Sequence, residues 1–202
     1  MPLPCFISFK NALKPLKMKT IVFKNGIWPQ KIAVAKSHRF GDIMNGNKKR
    51  IMFVCHGNIC RSPMAEFIFK MMISERGLAD EFEIRSCATS SEEIWRGVGN
   101  PIYPPAAREL ERRGVPYTSR RAVQLTCEDY DKYDMFIGMD SANVRNMQRI
   151  FGGDGEKKIY KLMEFTSRGG DVADPWYSDR FDIAFDDIYS GCHALMESLL
   201  GY

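Results

Sequence analysis

Two cysteines, an arginine and a serine lie close together in the segment RIMFVCHGNICRSPMAE, which spans residues 50–66. Cys55 ends an apolar run, and Arg61 and Ser62 follow after five intervening residues. A cysteine thiolate is a strong nucleophile, and a guanidinium can bind two oxygens of one phosphate group. Each residue alone has an ordinary structural explanation, but the combination is hard to obtain by chance. The spacing therefore predicts a loop that holds a phosphate group against the sulfur of Cys55.

The loop precedes a predicted helix, and this position favours anion binding. Backbone N–H groups at a helix N-terminus bind phosphate, and the helix dipole favours negative charge there. Gly57 permits backbone conformations that are closed to other residues, and Asn58 tolerates the left-handed region. The helix N-terminus, Arg61 and the Ser62 hydroxyl would all stabilise Cys55 as a thiolate. The other predicted phosphate-binding residues of the loop are His56, Ile59 and Cys60.

Strands and helices alternate along the chain from residue 49 onwards. Short apolar runs predict strands at 49–55, 81–90, 133–140 and 157–165. Helices are predicted between them: the first is capped by Ser62 with Pro63 at its first position, a later one is capped by Asp140, and the last spans about 181–200. We therefore predict an α/β fold with a single domain, a four-stranded parallel sheet with helices on both faces, and the phosphate loop after the first strand.

The start of the chain differs in charge from the rest. Residues 1–50 hold 11 Lys and Arg against one acidic residue, Asp42, which gives +10, whereas the remaining 18 basic and 24 acidic residues give −6. The first part also lacks sustained apolar periodicity. We predict a basic, flexible extension over 1–48 and a folded domain over 49–202. A targeting peptide or a nucleic-acid-binding arm is a weak alternative for the extension.

Composition excludes several classes of protein. No stretch approaches the roughly 18 apolar residues that a membrane helix needs, so no membrane association is expected. The six cysteines are scattered, which favours a reducing, cytoplasmic location over a disulfide scaffold. The three histidines and the cysteines show no metal-ligand spacing, so we expect no metal site.

The sequences VCHGNICRSP and DPWYSD, at 54–63 and 174–179, resemble those of the low-molecular-weight protein tyrosine phosphatases, and the similarity in element order covers about 49–201. On this resemblance the domain at 49–202 is a phosphatase domain that needs neither a metal nor an organic cofactor. The resemblance implies that Cys55 is the nucleophile, Arg61 the phosphate clamp and Asp174 the general acid. It also implies that the Ser62 hydroxyl stabilises the thiolate.

The resemblance extends to the residues that support the loop. Asn58 and Ser86 match positions that hold the loop in shape by hydrogen bonds in the family. Many members also have a histidine in this network, and we expect Ser119 to stand in its place here. In the family, the cysteine at the position of Cys60 can form a disulfide with an oxidised nucleophile.

The expected substrate is a phosphotyrosine protein or another aryl phosphate. Cleavage of an aryl phosphate releases a phenolate unless an acid supplies a proton, which is the role expected of Asp174. Aromatic side chains near the two motifs could form a slot for the phenyl ring, and we expect Trp95 and Tyr177 to do so in preference to Trp176.

Three other functions remain open from the sequence. Arsenate reductases share the fold and a similar cysteine loop but need further paired cysteines, whereas Cys87, Cys127 and Cys192 are isolated here. Phosphoarginine phosphatases resemble this sequence but have Thr at the position of Ile59. The third is a nucleic-acid binder that uses the basic extension; Asp174 argues for catalysis over mere binding, so nucleic acid is not the expected partner.

Overall fold

The computed structural model describes residues 48–201; apart from Lys48, the predicted extension over 1–48 lies outside the described residues. The β-strands are β1 (Lys49–Cys55), β2 (Phe82–Ala88), β3 (Ile94–Trp95), β4 (Val98–Gly99), β5 (Met135–Gly138) and β6 (Ile159–Lys161). The α-helices are α1 (Arg61–Glu75), α2 (Pro104–Arg112), α3 (Ser141–Phe151), α4 (Pro175–Ser178) and α5 (Phe181–Leu200). None of the helices in this part of the chain is long and apolar enough to cross a membrane.

Four strands form one parallel sheet in the order β2-β1-β5-β6, which confirms the predicted fold. The register places Cys55 opposite Ala88 on one side of β1, and Val54 opposite Gly138 on the other. The carboxyl ends of the three neighbouring strands therefore meet at one edge of the sheet. Ligands of open parallel sheets bind at this edge, so the loops that follow β1, β2 and β5 can share one site.

Side chains of β1 alternate between two apolar clusters. Ile51, Phe53 and Cys55 belong to the larger cluster, which contains the buried residues of α1 and α5. Met52 and Val54 belong to a second cluster that includes Met147 of α3. Helices thus cover both faces of the sheet, and the uninterrupted apolar run of β1 from Ile51 to Cys55 follows from burial on both sides.

Two predicted element details differ from the structure. Ser62 does not cap α1, because the helix already begins at Arg61 and the Ser62 hydroxyl is turned towards Cys55. The fourth strand of the sheet, β6, has three residues, after which residues 162–165 form a turn of 3₁₀ helix. The Asp140 cap is confirmed, since its Oδ1 accepts a hydrogen bond of 2.7 Å from the Asn143 backbone N–H.

A short antiparallel hairpin of β3 and β4 follows β2 and was not predicted. Its two turn residues, Arg96 and Gly97, have φ angles of 49° and 78°, as a type I′ turn requires. The hairpin determines where the aromatic ring of Trp95 lies relative to the carboxyl edge of the sheet.

Candidate active site

The loop from Cys55 to Arg61 lies at the carboxyl edge of the sheet and leads directly into α1. Asn58 has a φ of 58°, which confirms the predicted left-handed conformation. Gly57 does not have a positive φ, so the expected reason for a glycine there is wrong. A Cβ atom at Gly57 would lie 2.8 Å from Cγ of Glu93, so the glycine is needed for close packing of the loop against that side chain.

The sulfur of Cys55 lies at the base of this loop and is surrounded by hydrogen-bond donors. Cys55 is 3% exposed. The Asn58 backbone N–H donates to Sγ at 3.2 Å, and the Ser62 hydroxyl lies 3.0 Å from Sγ. The loop thus brings a backbone N–H, a hydroxyl and the N-terminus of α1 together around the sulfur.

Asn58 is the centre of a buried network that supports the loop. Its Nδ2 donates to the hydroxyls of Ser62, at 2.8 Å, and Ser86, at 3.0 Å. Its Oδ1 accepts from the guanidinium of Arg120 at 2.7 Å and from the Val123 backbone N–H at 3.0 Å. An amide has two donors and one oxygen with two lone pairs, so this side chain uses its full capacity.

The guanidinium of Arg120 also neutralises a buried carboxylate. It donates to Oε2 of Glu66 at 2.7 Å, to the Ser86 hydroxyl, and to the Ser86 carbonyl at 3.1 Å. Glu66 also accepts from Lys70 at 2.5 Å and from the Ser86 hydroxyl at 2.6 Å. Burial lowers the pKa of Arg120, and the charge of Glu66 opposes this effect. The guanidinium nevertheless stays charged, as arginine does throughout proteins.

Arg61 connects the loop to two acidic residues from distant parts of the chain. Its guanidinium donates to Asp140 at 2.6 Å and to Asp174 at 2.5 Å, and it also donates to the Val172 carbonyl at 3.2 Å. The residue is 3% exposed. Burial lowers the pKa of this guanidinium, but neighbouring Cys55 and the two aspartates act the other way, and the pKa is raised on balance.

Asp174 is fixed at the N-terminus of the short helix α4. Its Oδ1 accepts from the Trp176 backbone N–H at 3.1 Å, while Oδ2 accepts from Arg61. Pro175 occupies the first turn of α4, where its fixed φ suits a helix start and no N–H is lost. The carboxylate is thereby held beside the guanidinium that faces the phosphate loop.

These residues line a cleft together with three side chains that were not among the expected binding residues. The predicted residues that line it are Cys55, His56, Gly57, Asn58, Ile59, Cys60, Arg61, Asp174 and Tyr177. The additional lining residues are Glu92, Glu93 and Trp176. His56 Nε2 lies 2.9 Å from a carboxylate oxygen of Glu92, and this hydrogen bond lowers the pKa of Glu92.

The aromatic expectations are met only in part. Tyr177 lines the cleft and is 88% exposed, and Trp176 lines it as well. Trp95 is not among the residues that line the cleft, whereas the preceding Glu92 and Glu93 are. Trp95 is 75% exposed beside the Arg96 guanidinium.

The expectation that Ser119 supports the loop is also wrong. Ser119 is exposed, and the neighbouring Arg120 is the residue that enters the loop network. Sequence reasoning also missed Glu66, although its spacing of four residues from Lys70 was a signal of an ion pair. Asp140 was assigned only as a helix cap, yet its position directly after a strand of a parallel sheet indicated the site as well.

Cys60 and Cys87 are thiols rather than charged groups. Burial raises the pKa of both, with neighbouring negative charges acting in the same direction. Within residues 48–201, no group of three or more His, Cys, Asp or Glu side chains is arranged to hold a metal ion.

Comparison with known proteins identifies relatives that match this chain over most of their own length. A low molecular weight protein-tyrosine-phosphatase of Bacillus subtilis, YfkJ, is 32% identical over 151 residues, which cover 74% of this chain and 94% of that protein. Its crystal structure has a TM-score of 0.73, and the match covers 78% of this chain and 98% of that one. The low molecular weight protein tyrosine phosphatase SP-PTP of Streptococcus pyogenes is 37% identical, with a TM-score of 0.66 and coverage of 75% and 93%.

A family model described as low molecular weight phosphotyrosine protein phosphatase matches residues 50–201. The matched range includes every residue of the loop, its supporting network and α4. The chain therefore belongs to the low molecular weight phosphotyrosine protein phosphatase family.

Proposed function

We propose that this chain hydrolyses phosphotyrosine in proteins through a phosphocysteine intermediate. The observation that supports this most directly is the contact of 2.5 Å between Arg61 and Asp174. It joins the group that would bind the phosphate to the group that would protonate the leaving oxygen. The sulfur of Cys55 lies at the base of the same cleft. The proposed nucleophile, clamp and acid thus line one cleft.

The reaction proceeds in two displacements at phosphorus. The Cys55 thiolate forms a bond to phosphorus as the phosphorus–oxygen bond to the tyrosine ring breaks, and protonated Asp174 gives its proton to the departing oxygen. Phosphate oxygens replace the carboxylate of Asp174 on the Arg61 guanidinium, which frees the acid for this step. Water then attacks phosphocysteine, Asp174 accepts its proton, and inorganic phosphate leaves as the thiolate is restored.

The cleft favours an aromatic substrate. Trp176 and Tyr177 stand at its mouth, and Ile59 adds an aliphatic surface. A phenyl ring can reach between such side chains and gain from packing. The shorter side chain of phosphoserine would bring its backbone against the rim before its phosphorus reached Cys55. An Ile59 side chain presents hydrocarbon where phosphoarginine phosphatases have a Thr hydroxyl, which also favours an aryl group.

The arrangement of the cysteines argues against arsenate reduction. Cys87 lies in β2 and belongs to the apolar cluster on the opposite face of the sheet from Cys55. Cys192 is buried in α5. Among the described cysteines, Cys60 alone shares the cleft with Cys55. All five cysteines of residues 48–201 are free thiols, which supports the proposed cytoplasmic location.

The test is kcat/KM on matched peptides that carry phosphotyrosine, phosphoserine, phosphothreonine or phosphoarginine at one position. We expect the phosphotyrosine value to exceed the others by at least about 100-fold, because only that side chain fills the slot. Equal values for phosphoarginine and phosphotyrosine would overturn the assignment. A parallel assay for arsenate reduction with thiols as reductant should show no turnover.

A further inference from the structure

Tyr103 contacts both halves of the active site. Its backbone N–H donates a hydrogen bond of 2.9 Å to the carbonyl of Ile59 in the phosphate loop. Its ring packs against the ring of Trp176, with 5.0 Å between centroids, and against Phe181 at 5.9 Å. One residue thus links the loop that contains the nucleophile to the helix that begins with the general acid.

The backbone of Tyr103 is itself well fixed. It lies immediately before Pro104 and Pro105, and a residue before proline is restricted to extended conformations. Its φ of −59° and ψ of 130° agree with this restriction. The ring therefore projects from a stiff support that is attached to the phosphate loop.

The helix α4, by contrast, needs external support. It has four residues, and so short a helix is not stable by itself in water. The Trp176 backbone N–H holds Oδ1 of Asp174, so any movement of Trp176 also moves the carboxylate. The ring of Trp176 is anchored on Tyr103 on one side and is open to the cleft on another.

We propose that Tyr103 is a positioning residue, whose ring fixes Trp176 and thereby the distance of the Asp174 carboxylate from the leaving-group oxygen. The inference rests on the proposed function, since it assigns Tyr103 a part in proton donation. Displacement of a catalytic group by about 1 Å can reduce a rate roughly 100-fold.

The experiment compares Tyr103→Ala with Tyr103→Phe on two aryl phosphates. Phenyl phosphate has a basic leaving group that needs a proton, whereas a dinitrophenyl phosphate does not. We expect Tyr103→Ala to reduce kcat/KM for phenyl phosphate by about tenfold or more and for the dinitrophenyl ester by less than about threefold. Tyr103→Phe keeps the ring and should restore the wild-type ratio of the two values.

A merely structural role for Tyr103 would produce a different result. It would lower the melting temperature and slow both substrates equally, and that outcome overturns the proposal. Tyr103→Leu, which keeps an apolar side chain in the core, serves as a second variant if the alanine protein does not fold. It should also show selective slowing of phenyl phosphate.

A double-mutant cycle tests whether Tyr103 acts through Trp176. If it does, Trp176→Ala and the double variant should show nearly the same loss of selectivity between the two substrates. Fully additive effects of the two substitutions would contradict the proposal that Tyr103 acts through Trp176. Failure of the proposed function is distinguishable, because the wild-type protein would then hydrolyse neither aryl phosphate.

Discussion

The guanidinium of Arg120 donates to Oδ1 of Asn58 at 2.7 Å, and this contact sets the direction of the side-chain hydrogen bonds that lead to the nucleophile. A guanidinium has no acceptor, so the amide oxygen must face it and the amide nitrogen must face the Ser62 hydroxyl. Having accepted a hydrogen bond of 2.8 Å from Asn58, the Ser62 oxygen can direct its own hydrogen to the sulfur of Cys55. Many members of the family have a histidine in this network. A neutral histidine could donate or accept a hydrogen bond, so it would not fix this direction.

Replacement of Arg120 by Met should therefore impair both stability and catalysis. Buried Glu66 would lose its closest guanidinium partner, and we expect the free energy of unfolding to fall by about 2–3 kcal/mol. The kcat/KM for an aryl phosphate should fall at least about tenfold, since the donors to the thiolate lose their fixed orientation. Steady-state kinetics and urea unfolding measure the two effects.

Ser119→Ala is the matched control for this variant. Ser119 is the adjacent, exposed residue, so its replacement should change stability by less than about 0.5 kcal/mol and leave turnover unaltered. Arg120→Lys should recover only part of the loss, because one ammonium cannot reproduce the planar set of contacts. Wild-type activity in Arg120→Met would refute the positioning role.

Replacement of Cys55 by Ser should abolish turnover without loss of phosphate binding. A serine hydroxyl is not ionised near neutral pH, so the covalent step cannot proceed. Vanadate binding, followed by calorimetry, should remain because Arg61 and the loop backbone are unchanged. Cys127→Ser, at an exposed position outside the cleft, should behave as wild type. Turnover of the Cys55→Ser protein at a comparable rate would rule out a phosphocysteine intermediate.

Asp174→Asn should slow substrates in proportion to the basicity of their leaving group. Loss of a positioned general acid reduces rates by about 10²–10⁴, and a good leaving group needs that acid least. Asp179→Asn is a suitable control, because Asp179 ends the same short helix with a φ of 55° that Asn also tolerates. The measurement is kcat/KM across a series of aryl phosphates. Equal slowing across the series would assign Asp174 a structural role only.

Alkylation should distinguish the cysteines at neutral pH. Only a thiolate reacts with iodoacetate, and burial raises the pKa of Cys60, Cys87 and Cys192. A raised pKa keeps these groups as thiols at neutral pH, and their reaction should begin only well above pH 9. The proposed mechanism makes Cys55 the reactive nucleophile, so we expect labelling of Cys55 alone among these four at pH 7, with protection by inorganic phosphate. The measurement is mass spectrometry of the labelled peptides. Labelling of Cys60 as fast as that of Cys55 would contradict this expectation.

Removal of residues 1–43 should leave catalysis and stability nearly unchanged. Every residue of the active site, and the whole family match at 50–201, lies outside the removed segment. We expect kcat to stay within about twofold and the free energy of unfolding within about 0.5 kcal/mol. Larger losses would show that the segment belongs to the folded domain. Salt-dependent DNA binding that disappears with the segment would instead support the nucleic-acid alternative.

The sequence by itself determined the strand, the loop and the helix that hold Cys55 and Arg61. These elements follow one another within 27 residues, from Lys49 to Glu75, so local patterns specify them. An apolar run, a left-handed Asn and an apolar helix can each be recognised without knowledge of the rest of the chain. The order of strands and helices then restricted the topology to a parallel sheet, because crossovers between parallel strands follow few rules.

The tertiary structure decided which distant side chains complete the site. Arg61 and Asp174 are 113 residues apart, and they meet because the sheet gathers the ends of its strands at one edge. Arg120, and not Ser119, enters the loop network, although the two residues are adjacent in the sequence. Isolated β-bridges pair Arg121 with Pro101 and Gln124 with Ala88. These backbone pairings fix which of the two side chains, Ser119 or Arg120, faces inward.

The aromatic residues near the cleft also show that the tertiary structure decides what the sequence leaves open. Trp95 was expected at the cleft in preference to Trp176, but the direction of a side chain on a short hairpin is not revealed by any local pattern. The structure places Trp176 against Tyr103 at the cleft and leaves Trp95 exposed beside Arg96. Motifs identify residue types that can do chemistry, whereas the direction of a side chain in an irregular segment depends on packing against elements far away in the chain.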